Sequence, residues 1–423
     1  MAKKILWLSV FLCLLQLNAL LASEWVAGVI HVHTRVSGGI FSIEEIAEKA
    51  RNKGIRVVIV TDSAVKNAEY GPVPFLRGII KKKIELNSVL KYGAQKYLKD
   101  IENANRSMPG ILIIPGTEVS PFYYWEGSWF KKDLVMHNWH KNILVVGMED
   151  PLDYKGMPLV SNAKSRFDQY HGDQGSRPYQ DLIDYVNEKG ALAFWSAPEV
   201  AMQTAYSGIN VITPSFGREL LNTRGYFGFA CFAEGYREIG RPGGIWDEIL
   251  QEYCLGRRNR PVWTIGEVDY HYSGKSEKEI DSIQTVFYIP DADRGAVSKR
   301  AVLAALRRGN MYALWKTGEY GLALSGLEMK TGDKDIIMGQ QVKYEGPIRM
   351  EFRVVSSDGG ARPVKVRVIK NGKVAKKAEG ITPLKISFWD AGIEKGKKTY
   401  YRFDIEGLYP HRIFTNPVFV TTD

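Results

Sequence analysis

From Trp25 onward, short β-branched runs alternate with amphipathic stretches. Val26 to Val32 reads as a strand, and Ser42 opens a helix through Lys53, with Glu45 placed three residues on to complete a capping box. Gly54 stops it. A second strand spans Arg56 to Val60, a long basic helical stretch runs from Phe75 to about Asn105, and Ile111 to Ile114 and Ile143 to Val146 supply two more strands. The helix Pro178 to Lys189 ends at Gly190 and leads into the strand Ala191 to Trp195; Tyr226 to Phe232 and Val262 to Ile265 follow, separated by the helix Ile245 to Leu255. Strands separated by helices predict parallel pairing, hence an α/β layer or barrel.

After the helix Ser298 to Arg308, closed by Gly309, the period changes. Ile348 to Val354, Val364 to Ile369, Leu384 to Phe388 and Tyr400 to Ile405 alternate apolar and polar residues, and Asn371-Gly372 is a type I′ hairpin signal. This tail predicts an all-β sandwich, Ig-like in class, over residues 316–423, preceded by an α/β domain over 24–315.

The N-terminus differs in kind. Lys3 and Lys4 precede an apolar run from Ile5 to Leu21, and the small residues Ala22 and Ser23 follow before Glu24, the order of a secretory signal peptide over residues 1–23. Gln16 and Asn18 weaken the alternative of a retained membrane anchor, which needs roughly 20 apolar residues. The expected location is therefore periplasmic or extracellular, with no transmembrane segment left after signal removal. Loss of Cys13 leaves Cys231 and Cys254, room for one disulfide at most, and too few for a cysteine zinc site. The net charge of +10 is scattered through the chain, which argues against a specific nucleic-acid groove and leaves a phosphorylated small molecule compatible.

Candidate chemistry gathers where strands end. The first strand finishes in His31-Val32-His33, whose period of two predicts both imidazoles on one side. The second ends in Thr61-Asp62, the third runs into Glu118, His140 precedes the fourth, and the last delivers Asp269-Tyr270-His271. In a parallel barrel these groups converge at one face. Mixed imidazole and carboxylate donors suit zinc, manganese or iron. Arg35 and Lys66, just beyond ligand-bearing strands, are candidates to hold a phosphate. His137, His171 and His411 read as loop or surface residues. The aromatic stretch Phe122 to Trp139 reads either as packing or as a wall over the site.

The order of these motifs resembles the PHP (polymerase and histidinol phosphatase) superfamily between about Ala27 and His271: His31-Val32-His33-Thr34, Val60-Thr61-Asp62, Gly116-Thr117-Glu118, His140-Lys141-Asn142 and Asp269-Tyr270-His271. The tail, with Ala301 to Tyr312 and Thr415-Asn416-Pro417, is similar to the sandwich found in an exported branch. The resemblance implies a distorted (β/α)7 barrel holding up to three divalent metals, with His31, His33, Asp62, Glu118, His140, Asp269 and His271 as the ligand set. Three departures stand out. The chain has Ser37-Gly38-Gly39 where Ser-Asp-Gly is usual, Thr61-Asp62-Ser63 for Thr-Asp-His, and Ser196-Ala197-Pro198 for Ala-His-Pro. By family role, His31, His33, Glu118 and Asp269 keep one metal position complete. A second retains Glu118 and His140 without an imidazole at 197, and a third keeps little beyond His271.

The expected function is metal-dependent hydrolysis of a phosphoester outside the cytoplasm, with about one tight metal and a second, weaker one. Asp62 and His271 are expected to position water or protonate the leaving group. A carboxylic or carbamic ester hydrolase of the same family is the near alternative. A non-catalytic binding protein, using its sandwich for a protein partner, is the distant one. Glu199, Glu234 and Glu267 are candidates to replace lost ligands.

Overall fold

The computed structural model describes residues 25–71, 81–206, 209–232, 235–271, 278–290, 297–318 and 320–422. The signal-peptide reading of residues 1–23 and the candidate Glu234 lie outside the described residues, as does part of the long helix expected from Phe75.

Seven strands form the barrel: β1 (Trp25–Val32), β2 (Val57–Val60), β3 (Leu112–Val119), β4 (Ile143–Val146), β5 (Leu192–Trp195), β6 (Gly228–Phe232) and β7 (Trp263–Gly266). Their side-by-side order follows the chain. β2, β4, β5, β6 and β7 are buried throughout, as strands covered on both faces must be. The first crossover helix, Ile43–Asn52, has the capping box its sequence predicts: Glu45 N donates to Ser42 Oγ at 3.2 Å and Ser42 N to Glu45 Oε2 at 2.6 Å. The expected basic helix is in fact broken. Lys82–Glu85 is a strand, Val89–Tyr92 a short helix and Ala94–Ser107 a longer one, with Gly93 at φ 99° between the two helices.

β1 and β3 flank β2 in parallel, as do β5 and β7 with β6. β4 departs from the expected pattern and runs antiparallel to both neighbours. Its connection from β3 contains short strands, Tyr124–Glu126 and Val135–His137, and no crossover helix, so the chain returns in the opposite sense. That reversal matters for the site, because the beginning of β4 now lies beside the ends of β3 and β5. β3 passes from one neighbour to the next, Leu112 to Pro115 pairing with β2 and Gly116 to Val119 with β4. Gly116 marks the transfer: a Cβ there would sit 2.8 Å from Val60 O and 2.9 Å from Val145 O, prising both partners away.

The residues after β7 close the ring against β1, with Val268 N donating to Ile30 O and Tyr270 N to His31 O, at 2.9 and 2.8 Å. On the other edge of β1 lies β8 (Ile283–Tyr288), followed by β9 (Met311–Trp315) and then Arg412–Thr415, all antiparallel. One continuous sheet therefore runs from the barrel into the C-terminal region. There it faces a second sheet built on Leu322–Thr331, Ile348–Ser356 and Leu384–Asp390, and the two inner faces form a separate core including Met350, Val366 and Phe403. This is the sandwich. The two-residue loop Asn371-Gly372 has φ of 49° and 80°, as a type I′ turn requires.

Two buried links fasten the parts. Asn416 Oδ1 accepts from Thr264 N at 2.7 Å while its amide donates to Thr264 O and Met311 O, so one side chain stands in for a strand beside β7. Arg402 and Asp247, both fully buried, form a bidentate pair at 2.8 and 2.6 Å, with the guanidinium over Trp246 and Tyr400 Oη donating to the same carboxylate. Cys231 and Cys254 are free thiols. His411, expected at the surface, is buried and stacked on Tyr320 with ring centroids 3.9 Å apart. It closes the turn before the strand Arg412–Thr415, its N donating to Leu408 O at 2.8 Å. Among the described residues no helix is long and apolar enough to cross a membrane.

Candidate metal centre

His31 and His33 do not meet by simple alternation. The β1–β2 register shifts between Ile30 and Val32, and His31 takes φ 70°, so it is the extra residue of a β-bulge. Bulges re-aim side chains next to sites, and here the two rings turn toward each other. Their Nε2 atoms lie 3.0 Å apart. Ala197 and Asp269 also have positive φ, 43° and 46°, so three non-glycine residues around one cleft hold left-handed backbones.

The cleft, about 630 Å³, opens at the end of the barrel where β3, β5 and β7 finish and β4 begins. Glu118 Oε1 lies 3.4 Å from His31 Nε2, Glu118 Oε2 3.7 Å from His33 Nε2, and Asp269 Oδ1 3.5 Å from His31 Nε2. The ligand atoms of His31, His33 and Asp269 fall within 4.8 Å of one another. Donors arranged tetrahedrally about 2.0–2.1 Å from one cation are separated by about 3.3 Å. The three spacings from His31 Nε2 are close to that edge, and the imidazole and carboxylate donors fit a divalent metal.

The hydrogen bonds behind the rings fix their orientation. His31 Nδ1 lies 2.5 Å from Glu267 Oε1, within hydrogen-bond distance. His33 Nδ1 lies 3.0 Å from Ser37 Oγ, which itself donates to Asp62 Oδ1 at 2.7 Å. Asp62 is buried, its oxygens also taken by Thr34 N and Thr34 Oγ1 at 2.8 Å each, and it does not line the cleft. It stands behind His33. Burial pushes the Asp62 carboxyl up and the His33 imidazole down.

Charge in the cluster is strongly shifted. Burial opposes a proton on His31, but Glu267, Asp269 and Glu118 together raise its imidazole well above the ordinary value. Burial likewise resists ionisation of Glu118, and the His31 charge and hydrogen bond overcome it, holding that carboxyl at about 2. Asp269, against the same burial, is held well below the usual range by His31 and His271. His271 is raised by its hydrogen bond to Asp269, 3.3 Å away, and is half exposed in the cleft. Burial lowers His140, which also lines it.

Several expected groups stand elsewhere. Arg35 turns to Glu45 at 2.6 Å, Lys66 is exposed, and neither lines the cleft. Glu199 accepts from the backbone of Glu238 and Ile239 at 2.8 and 2.6 Å and so holds a loop. His137 stacks on Tyr124, and His171 pairs with Asp168. The aromatic stretch divides: Tyr123, Trp125, Leu134 and Met136 form a satellite core, while Trp139 reaches the cleft wall. Asn142, quoted only as part of a motif, proves to donate to Glu118 Oε1 at 2.5 Å, and Ser63 Oγ donates to Oε2 at 3.1 Å. No sequence signal beyond nearness to His140 marks Asn142.

Residues 30–208 match the model of the PHP domain. No curated protein matches the chain. Among solved structures, a two-domain protein from Bacteroides vulgatus containing a predicted PHP-like metal-dependent phosphoesterase is 12% identical, over 89% of this chain and 90% of that one, with a TM-score of 0.36. A protein of inferred metal-dependent phosphoesterase activity from Bifidobacterium adolescentis is 11% identical over 59% of this chain and 89% of that one, with a TM-score of 0.29. Neither likeness is close enough to bear on function.

Proposed function

Because the chain carries a PHP domain over residues 30–208, we propose that it is a metal-dependent phosphoesterase working with a reduced metal centre. The observation that carries this reading is the gathering of His33 Nε2, Glu118 Oε1 and Asp269 Oδ1 about His31 Nε2 at 3.0, 3.4 and 3.5 Å. Those four residues would hold one divalent cation, which when bound polarises an ester oxygen and acidifies a water. Asn142 and Ser63 each donate to one Glu118 oxygen as neutral groups, occupying acceptor capacity that a second cation would use, which supports a count near one. His271, half exposed beside the cluster, is placed to give a proton to the leaving group, and His140, kept neutral by burial, to accept one. Trp139 would cover the substrate's ester group from the wall. Asp62 acts through Ser37 on His33. We propose export as well, on the basic, apolar and small-residue order of residues 3–23.

A panel of phosphomonoesters, phosphodiesters and carboxylic or carbamic esters, run on wild type and on Glu118→Ala, tests the reading. Phosphoester hydrolysis above the Glu118→Ala level is expected. Turnover of carboxyl esters alone would move the protein to the neighbouring activity, and rates equal to the variant's on every substrate would leave a binding protein.

A further inference from the structure

We infer that Glu267 is a positioning residue that selects Nε2 of His31 as the metal-facing atom. The inference rests on the reading of His31 as a ligand and assigns a role to a carboxylate that holds no place in the ligand cluster. Glu267 is buried, 2% exposed, and its Oε1 takes two hydrogen bonds, from His31 Nδ1 at 2.5 Å and from Ser196 Oγ at 2.6 Å.

The chemistry follows from what a carboxylate can do. An ionised carboxylate only accepts, so the hydrogen between the two groups belongs to Nδ1. A neutral imidazole with its hydrogen on Nδ1 has its lone pair on Nε2, the atom that faces His33, Glu118 and Asp269. Ser196 fixes the accepting oxygen in turn. This second contact is needed because His31 sits in a bulge at φ 70°, where strand alternation no longer dictates the direction of the side chain.

A further observation points the same way. Glu267 Oε2 is buried with no hydrogen-bond partner among the described residues. A half-satisfied buried carboxylate is costly, and a residue serving only the fold would be better replaced by an apolar one. Ser196 also precedes Ala197, which has no ligand to offer. The end of β5 thus contributes to the centre through Glu267. The arrangement is a carboxylate–histidine pair of the kind that orients a ligand and strengthens its donor atom.

The test uses the whole mature chain, stripped of metal by chelation and titrated with zinc. Glu267→Gln is expected to weaken zinc binding roughly 10–100-fold, with an unchanged far-ultraviolet circular dichroism spectrum. Ser196→Ala should shift the affinity in the same direction by less. Imidazole 15N–1H spectra of the zinc-loaded wild type should show His31 with its hydrogen on Nδ1. Wild-type affinity in a folded Glu267→Gln, or His31 with its hydrogen on Nε2 in the loaded wild type, would overturn the assignment. Should Glu267→Gln fail to fold, the wild-type spectrum decides alone. A wild type that takes up no zinc would instead sink the metal-centre reading itself, a result recognisably different from zinc uptake that ignores Glu267.

Discussion

Ser63 and Glu118 are joined by a hydrogen bond of 3.1 Å from hydroxyl to Oε2, while Oε1 of the same carboxylate lies 3.4 Å from His31 Nε2. The hydroxyl stands where the family resemblance has an imidazole, and it satisfies an oxygen that a second cation would otherwise share. Gly38 leaves comparable room: a Cβ there would lie 3.8 Å from the His33 ring, an ordinary contact, whereas one at Gly39 would fall 2.5 Å from His33 O. Ser63→His combined with Gly38→Asp should therefore raise the bound metal from about one ion per chain to about two. Elemental analysis reads the count, and an unchanged value would show that the second position is closed for other reasons.

Removing ligands should act unequally. His31→Ala takes away an atom shared by three of the short spacings and should abolish tight metal binding. His140→Ala should leave the first ion in place, since His140 lies outside that four-donor set. Equal loss of metal in both variants would mean that His140 belongs to the tight site.

Metal uptake should also release protons. In the metal-free protein the His31 imidazole is raised well above its ordinary value. It therefore contributes stability that is complete below the unfolded value near 6.5 and fades as pH climbs through the raised folded value. A cation needs the deprotonated Nε2, so apparent affinity should increase with pH across the same window. Calorimetric titration in buffers of different ionisation heat measures the protons released; binding heats independent of buffer would contradict this picture.

Arg402→Ala strands Asp247 in a fully buried position with its guanidinium partner gone. Breaking such a pair from one side costs roughly 3–5 kcal/mol. Chemical denaturation should show a loss of that order, and Arg402→Lys should recover only part of it because an ammonium cannot reproduce the bidentate contact. A loss below about 1 kcal/mol would place the pair among exposed ones in effect.

The sequence revealed which residues converge more readily than how they do so. His31, His33, Glu118 and Asp269 were legible because each falls at a strand end, and a barrel gathers such ends. The bulge at His31 was not, since a single register shift leaves no mark on apolar periodicity. Nor was the reversal of β4, whose fully buried Ile143–Val146 reads identically in either direction. Asp62 resembled a ligand by motif, yet Thr34 and Ser37 draw its carboxylate behind the first imidazole shell. Arg35 looked available in sequence because its partner Glu45 belongs to the next helix. The sandwich was readable from its period of two, whereas its union with the barrel sheet depends on pairings between residues more than a hundred positions apart, as between Tyr312 and Thr415 for one neighbour along the same sheet.

The strand that carries His31 has a neighbour on each edge, β2 on one side and β8 on the other, and β8 leads without a break into the sandwich. Its amides point to one edge or the other, so the strand is freed as a whole only when both sides separate, which couples the cleft end of the barrel to the melting of the whole sheet. Hydrogen exchange along Val26 to Ile30 should then track global unfolding, and calorimetry should record one transition where two independent modules would give two. One transition would make the C-terminal region thermodynamic ballast for the cleft, even though Arg402 and Asn416, which link it to the barrel, lie outside the cleft.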